Sequence, residues 1–163
     1  MDHAAPPPLA FPTQPEEADF ARRVRDSFAR QGAMRAMGAA IARVAAGEVE
    51  IALPFADGVA QQHGFFHGGI VSALLDSACG YAALSLMPAD AAVLTVEFKI
   101  SFLAPARGAL LLARGRVVKP GRTLSFCEGE AVLPGPDGGP DGRRVATMSA
   151  TMICVRDRPD LRG

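Results

Sequence analysis

The 163-residue sequence predicts an α+β fold in which an antiparallel sheet wraps around one central apolar helix. Residues 68–87 are apolar and read as one long helix, whereas the segments on both sides of it alternate as strands do. The later strands are joined by short connections, which favour antiparallel neighbours. A helix this apolar is most easily buried by a sheet that curls around it.

An arm, a helix and a pair of strands precede the central helix. Five prolines before Glu16 indicate a disordered or extended arm over residues 1–15, so that a single domain covers residues 16–163. Helical spacing of apolar residues predicts one helix over residues 16–35, with Gly38 ending it. Residues 39–55 are predicted to form two short strands around a turn at residues 46–48.

The central helix is predicted from Gly68 to Met87, after a loop over residues 56–66. Within the 32 residues from Gly58 to Ala89 the only charge is Asp76, although 21% of the chain is charged. The helix is nearly long enough to cross a bilayer. A charge near its middle would cost about 2.5–3.5 kcal/mol on insertion scales, so we expect a buried helix.

Four strands follow the helix, at residues 92–103, 109–118, 123–133 and 143–155. Residues 134–142, rich in glycine and proline, are predicted to join the last two as a loose hairpin. The first of these strands is expected to present two faces. One face would carry Val93, Thr95, Glu97, Lys99 and Ser101, and the other Leu94, Val96, Phe98, Ile100 and Phe102.

Composition disfavours several classes of protein. Seventeen acidic residues balance seventeen basic ones, whereas a nucleic-acid-binding surface leaves a basic excess. Cys79, Cys127 and Cys154 are odd in number and widely spaced, which favours neither a disulfide framework nor a zinc site. The first residues lack the basic start and apolar core of a signal peptide. We therefore expect a cytoplasmic protein that binds neither nucleic acid nor membrane.

Asp76 is predicted to lie on a helix face of small side chains. The positions three, four and seven residues away are Gly69, Ser72, Ala73, Cys79, Gly80 and Ala83. Such a face lets another surface or a ligand approach the carboxylate closely. A structural carboxylate, satisfied by backbone groups or an arginine, is the alternative interpretation.

The sequence His67-Gly68-Gly69 opens the same helix. Glycine costs about 1 kcal/mol relative to alanine inside a helix, but here it leaves backbone amides unobstructed at the positive end of the helix dipole. Such amides can polarise a carbonyl or hold an oxyanion. A tight turn that needs glycine is the alternative. Together with Asp76, the pair predicts a clamp for an electrophile plus a base or nucleophile.

The pattern Gln61-x5-His67-Gly68-Gly69-x6-Asp76 resembles the active-site signature of hotdog-fold acyl-CoA thioesterases. The phenylacetic-acid-degradation type is the best match, followed by the hydroxybenzoyl-CoA branch. The resemblance covers most of the chain and includes LTVEFKISFLAPA at 94–106 and KPGRT at 119–123. It implies hydrolysis of acyl-CoA thioesters by a homodimer with active sites at the subunit interface, and a further dimer of dimers.

The resemblance also implies catalytic roles. The N–H of Gly68, or of its neighbour Gly69, polarises the thioester carbonyl. Asp76 from the facing subunit acts as general base on water, or as nucleophile through an anhydride. Thr95 matches a Ser/Thr position that helps to place the water.

Substrate-binding roles follow from the same resemblance. Gln61 is expected to help orient the substrate, and His67 is expected to shape the turn beside it. Lys119, Gly121 and Arg122, between two strands, have two interpretations. They form an ordinary turn with solvated charges, or their cations meet the phosphates of coenzyme A.

No cofactor or metal is expected, because a carbonyl clamp and a base suffice and coenzyme A is part of the substrate. The alternative function is a non-catalytic module of the same fold that binds acyl-CoA as a sensor. A dehydratase is disfavoured, because it uses a histidine paired with an acid and His67 lies nine residues from Asp76. The sequence leaves the acyl chain open.

Overall fold

A computed structural model describes residues 15, 19–135, 142–158 and 160–161. The predicted arm at residues 1–15, apart from Pro15, lies outside the described residues, as do residues 136–141 of the predicted hairpin. The described helices are α1 (Phe20–Ala29), α2 (Gly32–Met37) and α3 (Gly68–Leu84), with a 3-10 turn at Asp57–Val59. The strands are β1 (Ala40–Ala45), β2 (Glu48–Pro54), β3 (Ala92–Phe102), β4 (Leu110–Lys119), β5 (Leu124–Leu133) and β6 (Arg143–Val155).

The six strands form one antiparallel sheet in the order β1-β2-β4-β5-β6-β3. Helix α3 packs against β2, β3, β4, β5 and β6. Its side chains Leu74 and Leu75 are fully buried, as are Ile51 and Leu111 of the sheet. The predicted α+β fold, with an antiparallel sheet around one apolar helix, is confirmed.

The helix approaches the sheet closely at Gly115 of β4. A Cβ atom at this position would lie 2.3 Å from the carbonyl carbon of Ala78, far inside van der Waals contact. Glycine is therefore required here so that the backbone of α3 can rest directly on the sheet. This contact fixes the depth of α3 in the fold.

Strand β3 lies at the edge of the sheet, contrary to the expectation that short links join neighbouring strands. It pairs with β6, whereas β4 pairs with β2 and β5. Residues 103–109 link β3 to β4 across three strand spacings, about 14 Å. Seven residues can extend over more than about 20 Å, so a short link does not require adjacent strands.

The expected alternation of β3 is wrong because the strand contains an irregularity at Val96. Thr95 pairs with Met152, but Glu97, two residues on, pairs with Thr151. This extra residue in β3 exchanges the two faces beyond it. Thr95 consequently shares the helix-facing side with Phe98, Ile100 and Phe102, which pair with the buried residues Ala150, Met148 and Ala146.

The helix expected at residues 16–35 is interrupted at Gln31, which has an extended backbone and precedes α2. The interruption has a packing reason. On a continuous helix Met34 would be turned about 120° from Phe28 and about 80° from Val24, the two buried residues of α1. In the structure both side chains are buried. Helix α3 ends at Leu84 rather than Met87, and no helix in the described part of the chain could span a membrane.

Candidate active site

Asp76 and Thr95 meet between α3 and β3. The Thr95 hydroxyl donates to Asp76 Oδ1 over 2.7 Å, and Asp76 forms no ion pair among the described residues. The carboxylate is half-buried. One oxygen is thus held by a neutral donor, while the other has no hydrogen-bond partner in the described part of the chain. The alternative of a structural carboxylate neutralised by arginine is not what the structure contains.

The small-residue face around Asp76 is open only in part. Gly69 is exposed and Ser72 is half-buried, as expected of a surface that a ligand can reach. Cys79 and Ala83, in contrast, are buried against the rest of the fold. The accessible part of the predicted face therefore lies on the N-terminal side of Asp76, and the residues on the C-terminal side are covered by the rest of the fold.

A hollow of about 300 Å³ lies beside Asp76. The last turn of α1 and Gln31 form one wall, α3 the floor, and residues 92–95 of β3 the other wall. Polar groups converge on it, because the neutral side chains of Ser27, Gln31, Ser77 and Tyr81 and the cation Arg30 all line the hollow. Gly80 also lines it.

Helix α1 is held over this hollow by Arg23. Its guanidinium donates to the carbonyl oxygens of Leu84, Met87 and Pro88 at 3.0, 2.7 and 2.8 Å. A cation at the C-terminal end of a helix also interacts favourably with the helix dipole. The ring of Phe28 packs edge-on against Tyr81, with centroids 5.6 Å apart. The position of the wall is therefore set by α3 itself.

The N-terminus of α3 has the arrangement that the glycine pair predicts, with one refinement. Nδ1 of His67 accepts the N–H of Gly69 at 3.0 Å, so the histidine is the N-cap and this nitrogen carries no proton. The N–H of Gly68 has no acceptor among the described residues. Of the two candidate amides, only that of Gly68 is available to a ligand.

Gly68 and Asp76 are separated along α3 and both lie against β3. Eight residues of helix correspond to about 12 Å, too far for both groups to act on one carbonyl. The ring of Phe102, at the end of β3, lies 3.2 Å from where a Cβ of Gly68 would be. Thr95, near the start of β3, bonds Asp76. The two halves of the predicted site thus lie at opposite ends of the edge strand.

Gln61 lies in the loop before α3. Its side-chain oxygen accepts the N–H of His63, and its backbone N–H donates to the carbonyl of Phe65 at 2.9 Å. These bonds stabilise the loop that leads to His67. The structure does not place Gln61 among the residues that line the hollow beside Asp76.

The turn with Lys119, Gly121 and Arg122 joins β4 to β5 at the end of the sheet where Thr95 lies. The row Thr95, Met152 and Ser125 crosses β3, β6 and β5 in register, which corresponds to about 10 Å. A Cβ on Gly121 would lie 2.2 Å from the carbonyl oxygen of Leu124. Glycine is required for this tight turn, and both cations are exposed.

The environments of the cysteines do not favour a catalytic role. Burial raises the pKa of the Cys79 thiol, and the nearby Cys127 and Asp76 raise it further. Burial also raises the pKa of Cys127, to about 12. Both thiols therefore stay protonated near neutral pH and are poor nucleophiles. None of the three cysteines, which all lie in the described part of the chain, forms a disulfide.

Sequence reasoning missed the polar residues that surround Asp76 in the hollow. The pattern predicts Gln31 inside a helix and does not assign Ser77 to the carboxylate's surroundings, although Tyr81 is among the residues expected to set the depth of the pocket. The one available signal is that Gln31, a polar residue, falls on the apolar stripe of α1, three positions after Phe28. The contact of Gln31 with Ser77, 46 residues later, is a tertiary contact that local sequence patterns do not show.

Comparison with known proteins agrees with this fold. A model of the Thioesterase superfamily matches residues 63–137. A thioesterase family protein from Silicibacter pomeroyi is 52% identical in sequence; the match covers 84% of this chain and 98% of that chain, with a TM-score of 0.79.

Two more distant structures are similar in fold. PaaI from the phenylacetic acid degradation operon of E. coli is 20% identical, over 84% of this chain and 94% of that chain, with a TM-score of 0.73. A mutant of the phenylacetic acid degradation protein PaaI from Thermus thermophilus is 24% identical, over 76% of this chain and 98% of that chain, with a TM-score of 0.65.

Proposed function

This chain belongs to the thioesterase superfamily and has the hotdog fold, and from that premise we propose that it hydrolyses acyl-CoA thioesters to a free acid and coenzyme A. Asp76 is the general base or the nucleophile, and the N–H of Gly68 polarises the carbonyl. The 2.7 Å bond from Thr95 to a carboxylate that forms no ion pair among the described residues carries this proposal.

The proposed site needs two copies of the chain. Within one copy, Gly68 and Asp76 are about 12 Å apart along α3. Antiparallel pairing of two β3 strands about a twofold axis places the Thr95 end of one strand beside the Phe102 end of the other. The Gly68 amide of one protomer then faces Asp76 of its partner.

The edge strand supports this pairing by its composition. Exposed edge strands are usually short or charged, because their unpaired backbone groups attract other chains. β3 is 11 residues long, and several of its apolar side chains are between 44% and 55% exposed. These are Leu94, Val96, Phe98 and Phe102. Burial against a second copy would remove this apolar surface from water.

The proposed chemistry follows from the two groups. As base, Asp76 takes a proton from water while the oxygen attacks the carbonyl carbon. The Gly68 N–H stabilises the negative oxygen that forms. The carbon–sulfur bond then breaks, and the thiolate of coenzyme A recovers the proton. As nucleophile, Asp76 would itself attack the carbonyl and displace the thiolate of coenzyme A to form an anhydride with the acyl group. Water would then open the anhydride to give the free acid and the Asp76 carboxylate, and the thiolate would take up the proton that this releases. Thr95 positions the carboxylate in either case.

Lys119 and Arg122 are proposed to bind the phosphates of coenzyme A. Both are exposed, and their turn lies close to Ser125, which is in register with Thr95 two strand spacings away, about 10 Å. This is compatible with a long, polar substrate whose thioester reaches Asp76. Replacing both by alanine is expected to raise KM for acyl-CoA with little change in kcat; an unchanged KM would mean that they form an ordinary turn with solvated charges.

Release of free thiol from a panel of short, medium and aromatic acyl-CoAs tests the proposed activity. We expect turnover of at least one class at a rate that saturates with substrate. Calorimetric binding of acyl-CoA without any thiol release would instead identify a non-catalytic binding module. Absence of both binding and turnover would refute the proposed substrate class.

A further inference from the structure

Gly80 is a glycine that neither the backbone nor the packing of α3 requires. It lies inside the helix, where glycine is about 1 kcal/mol less favourable than alanine, and its φ is not positive. A Cβ atom there would have no other atom within 4 Å, although the residue is buried. The space that a side chain would occupy belongs to the hollow beside Asp76.

Two buried hydroxyls around this space are poorly satisfied. Ser77 is 9% exposed and Tyr81 is 4% exposed, so neither relies on bulk water. Ser77 donates to the side-chain oxygen of Gln31 at 3.4 Å, and Tyr81 lies 3.5 Å from the hydroxyl of Ser27. Hydrogen bonds between hydroxyl and oxygen are normally about 2.7–2.8 Å long, so both hydroxyls keep capacity for a closer partner.

The other serines of this region show what a satisfied hydroxyl looks like. Ser72 donates to the carbonyl of Gly68 at 2.8 Å, and Ser85 donates to that of Ala82 at 2.7 Å. Ser77, in contrast, is directed across the hollow towards Gln31. Its orientation is that of a side chain that lines a site rather than one that bonds its own helix.

We infer that this hollow is the acyl-group site and that it selects a compact acyl group with a neutral hydrogen-bonding substituent. Gly80 sets its depth, and Ser77, Tyr81 and Gln31 set its polarity. The inference rests on the proposed thioester hydrolysis, because Asp76 must reach the carbonyl of the group bound here. We assign a neutral occupant because the described lining carries one anion, Asp76, and one cation, Arg30, and so has no excess positive charge that would favour an acidic substituent.

Size and polarity point to the same class of substrate. At about 300 Å³ the hollow is at the lower end of the range for small-molecule sites. A long alkyl chain would exceed it and would leave the buried hydroxyls with only their long bonds to Gln31 and Ser27, at 3.4 and 3.5 Å. A short acyl group with a hydroxyl satisfies them instead. Sites that bond a substrate hydroxyl discriminate strongly against the analogue without it.

Matched substrates test the polarity. We expect 3-hydroxybutyryl-CoA or 4-hydroxybutyryl-CoA to be cleaved with a kcat/KM at least about tenfold above that of butyryl-CoA, and decanoyl-CoA to be poorer than either. The double variant Ser77→Ala, Tyr81→Phe should bring the hydroxyacyl to butyryl ratio close to one. A wild-type preference for decanoyl-CoA, or a ratio that the double variant leaves unchanged, would overturn the inference.

Gly80→Ala tests the depth and separates it from stability. A helical alanine should raise the Tm by about 2–4 °C, while kcat/KM for the four-carbon substrates falls at least fivefold and that for acetyl-CoA changes little. Gly58→Ala is the control, because an added Cβ there also meets open space but Gly58 does not line the hollow. Unchanged turnover of four-carbon substrates by Gly80→Ala would contradict the assignment.

Failure of the proposed hydrolysis can be distinguished from failure of the acyl-site assignment. If no substrate releases thiol, the proposed function fails, and the same comparison is made on dissociation constants from calorimetry. Weaker binding of hydroxybutyryl-CoA to Gly80→Ala would still support the acyl site. Equal binding to wild type and to Gly80→Ala would overturn it.

Discussion

Two concave regions of this molecule contain carboxylates with different partners: ion-paired arginines in one and a neutral hydroxyl in the other. A groove of about 930 Å³ follows the outer face of the sheet, and a hollow of about 300 Å³ lies beside Asp76. In the groove, glutamates and arginines alternate across neighbouring strands. The N–O distances are 2.6 Å for Arg114–Glu50, 2.5 Å for Arg116–Glu128 and 2.8 Å for Arg144–Glu130. In the hollow, Asp76 is bonded by the neutral hydroxyl of Thr95.

If the proposed function is correct, the partner of a charge distinguishes the reactive carboxylate better than the size of a cavity does. A carboxylate matched by a guanidinium has its lone pairs engaged in that pair. A carboxylate held at one oxygen by a hydroxyl keeps the other oxygen for a substrate or a water. The larger groove therefore belongs to the stability of the sheet, and the smaller hollow to the proposed chemistry.

The largest expected effect is that of Asp76→Asn. Loss of a general base typically costs about 10²- to 10⁴-fold in rate, so we expect kcat for the best acyl-CoA substrate to fall by about that factor. Glu128→Gln on the outer face is the matched control and should retain activity. Normal turnover by Asp76→Asn, measured as thiol release, would remove Asp76 from the mechanism.

The next effect is that of Gly68→Pro. Proline is well tolerated at the first position of a helix and removes the N–H, so kcat should fall by about 10²- to 10³-fold. Gly68→Ala is the control, because it brings the same Cβ towards Phe102 but keeps the amide. Equal activities of the two variants would exclude the amide from catalysis.

Mixing the same variants sharpens the result. Refolding Gly68→Pro together with Asp76→Asn should restore about a quarter of wild-type activity, because half of the dimers are mixed and each of these has one intact site. Sites contained within one protomer would show no recovery on mixing.

Thr95→Val should have a smaller effect. A hydrogen bond to a charged group contributes about 1.5 kcal/mol or more, which corresponds to roughly tenfold in kcat/KM. Thr151→Val provides the comparison on the outer face, where the hydroxyl lies 3.3 Å from Glu97, and should leave turnover unchanged. Identical kinetics of the two variants would mean that the Thr95 bond does not position Asp76.

The outer groove should respond in stability instead of activity. Arg114 joins Glu50 and Glu130 while partly shielded from water. Arg114→Ala is expected to cost about 1 kcal/mol and to lower the Tm by about 2–4 °C, with kcat/KM unchanged. A loss of activity greater than the loss of folded protein would show that the outer groove also contributes to turnover.

Much of the fold could be predicted because its signals are local. The strand bounds agree with those expected from alternation to within one residue after α3. The glycine pair at the start of α3 and the isolated charge of Asp76 were visible because helix termini and charge patterns depend on residues within a few turns. Local propensity could not show that α1 ends before Gln31, since the reason is the burial of Met34.

The sequence by itself determined an apolar helix with one carboxylate, a pair of glycines at its start, and strands that can enclose it. Only the tertiary structure decided that Thr95 faces Asp76, because one extra residue at Val96 exchanges the faces of β3. It also decided that β3 is an edge strand and that Gln31 approaches Ser77. These features depend on pairing between segments distant in sequence, where the balance of packing across the whole sheet outweighs any local preference.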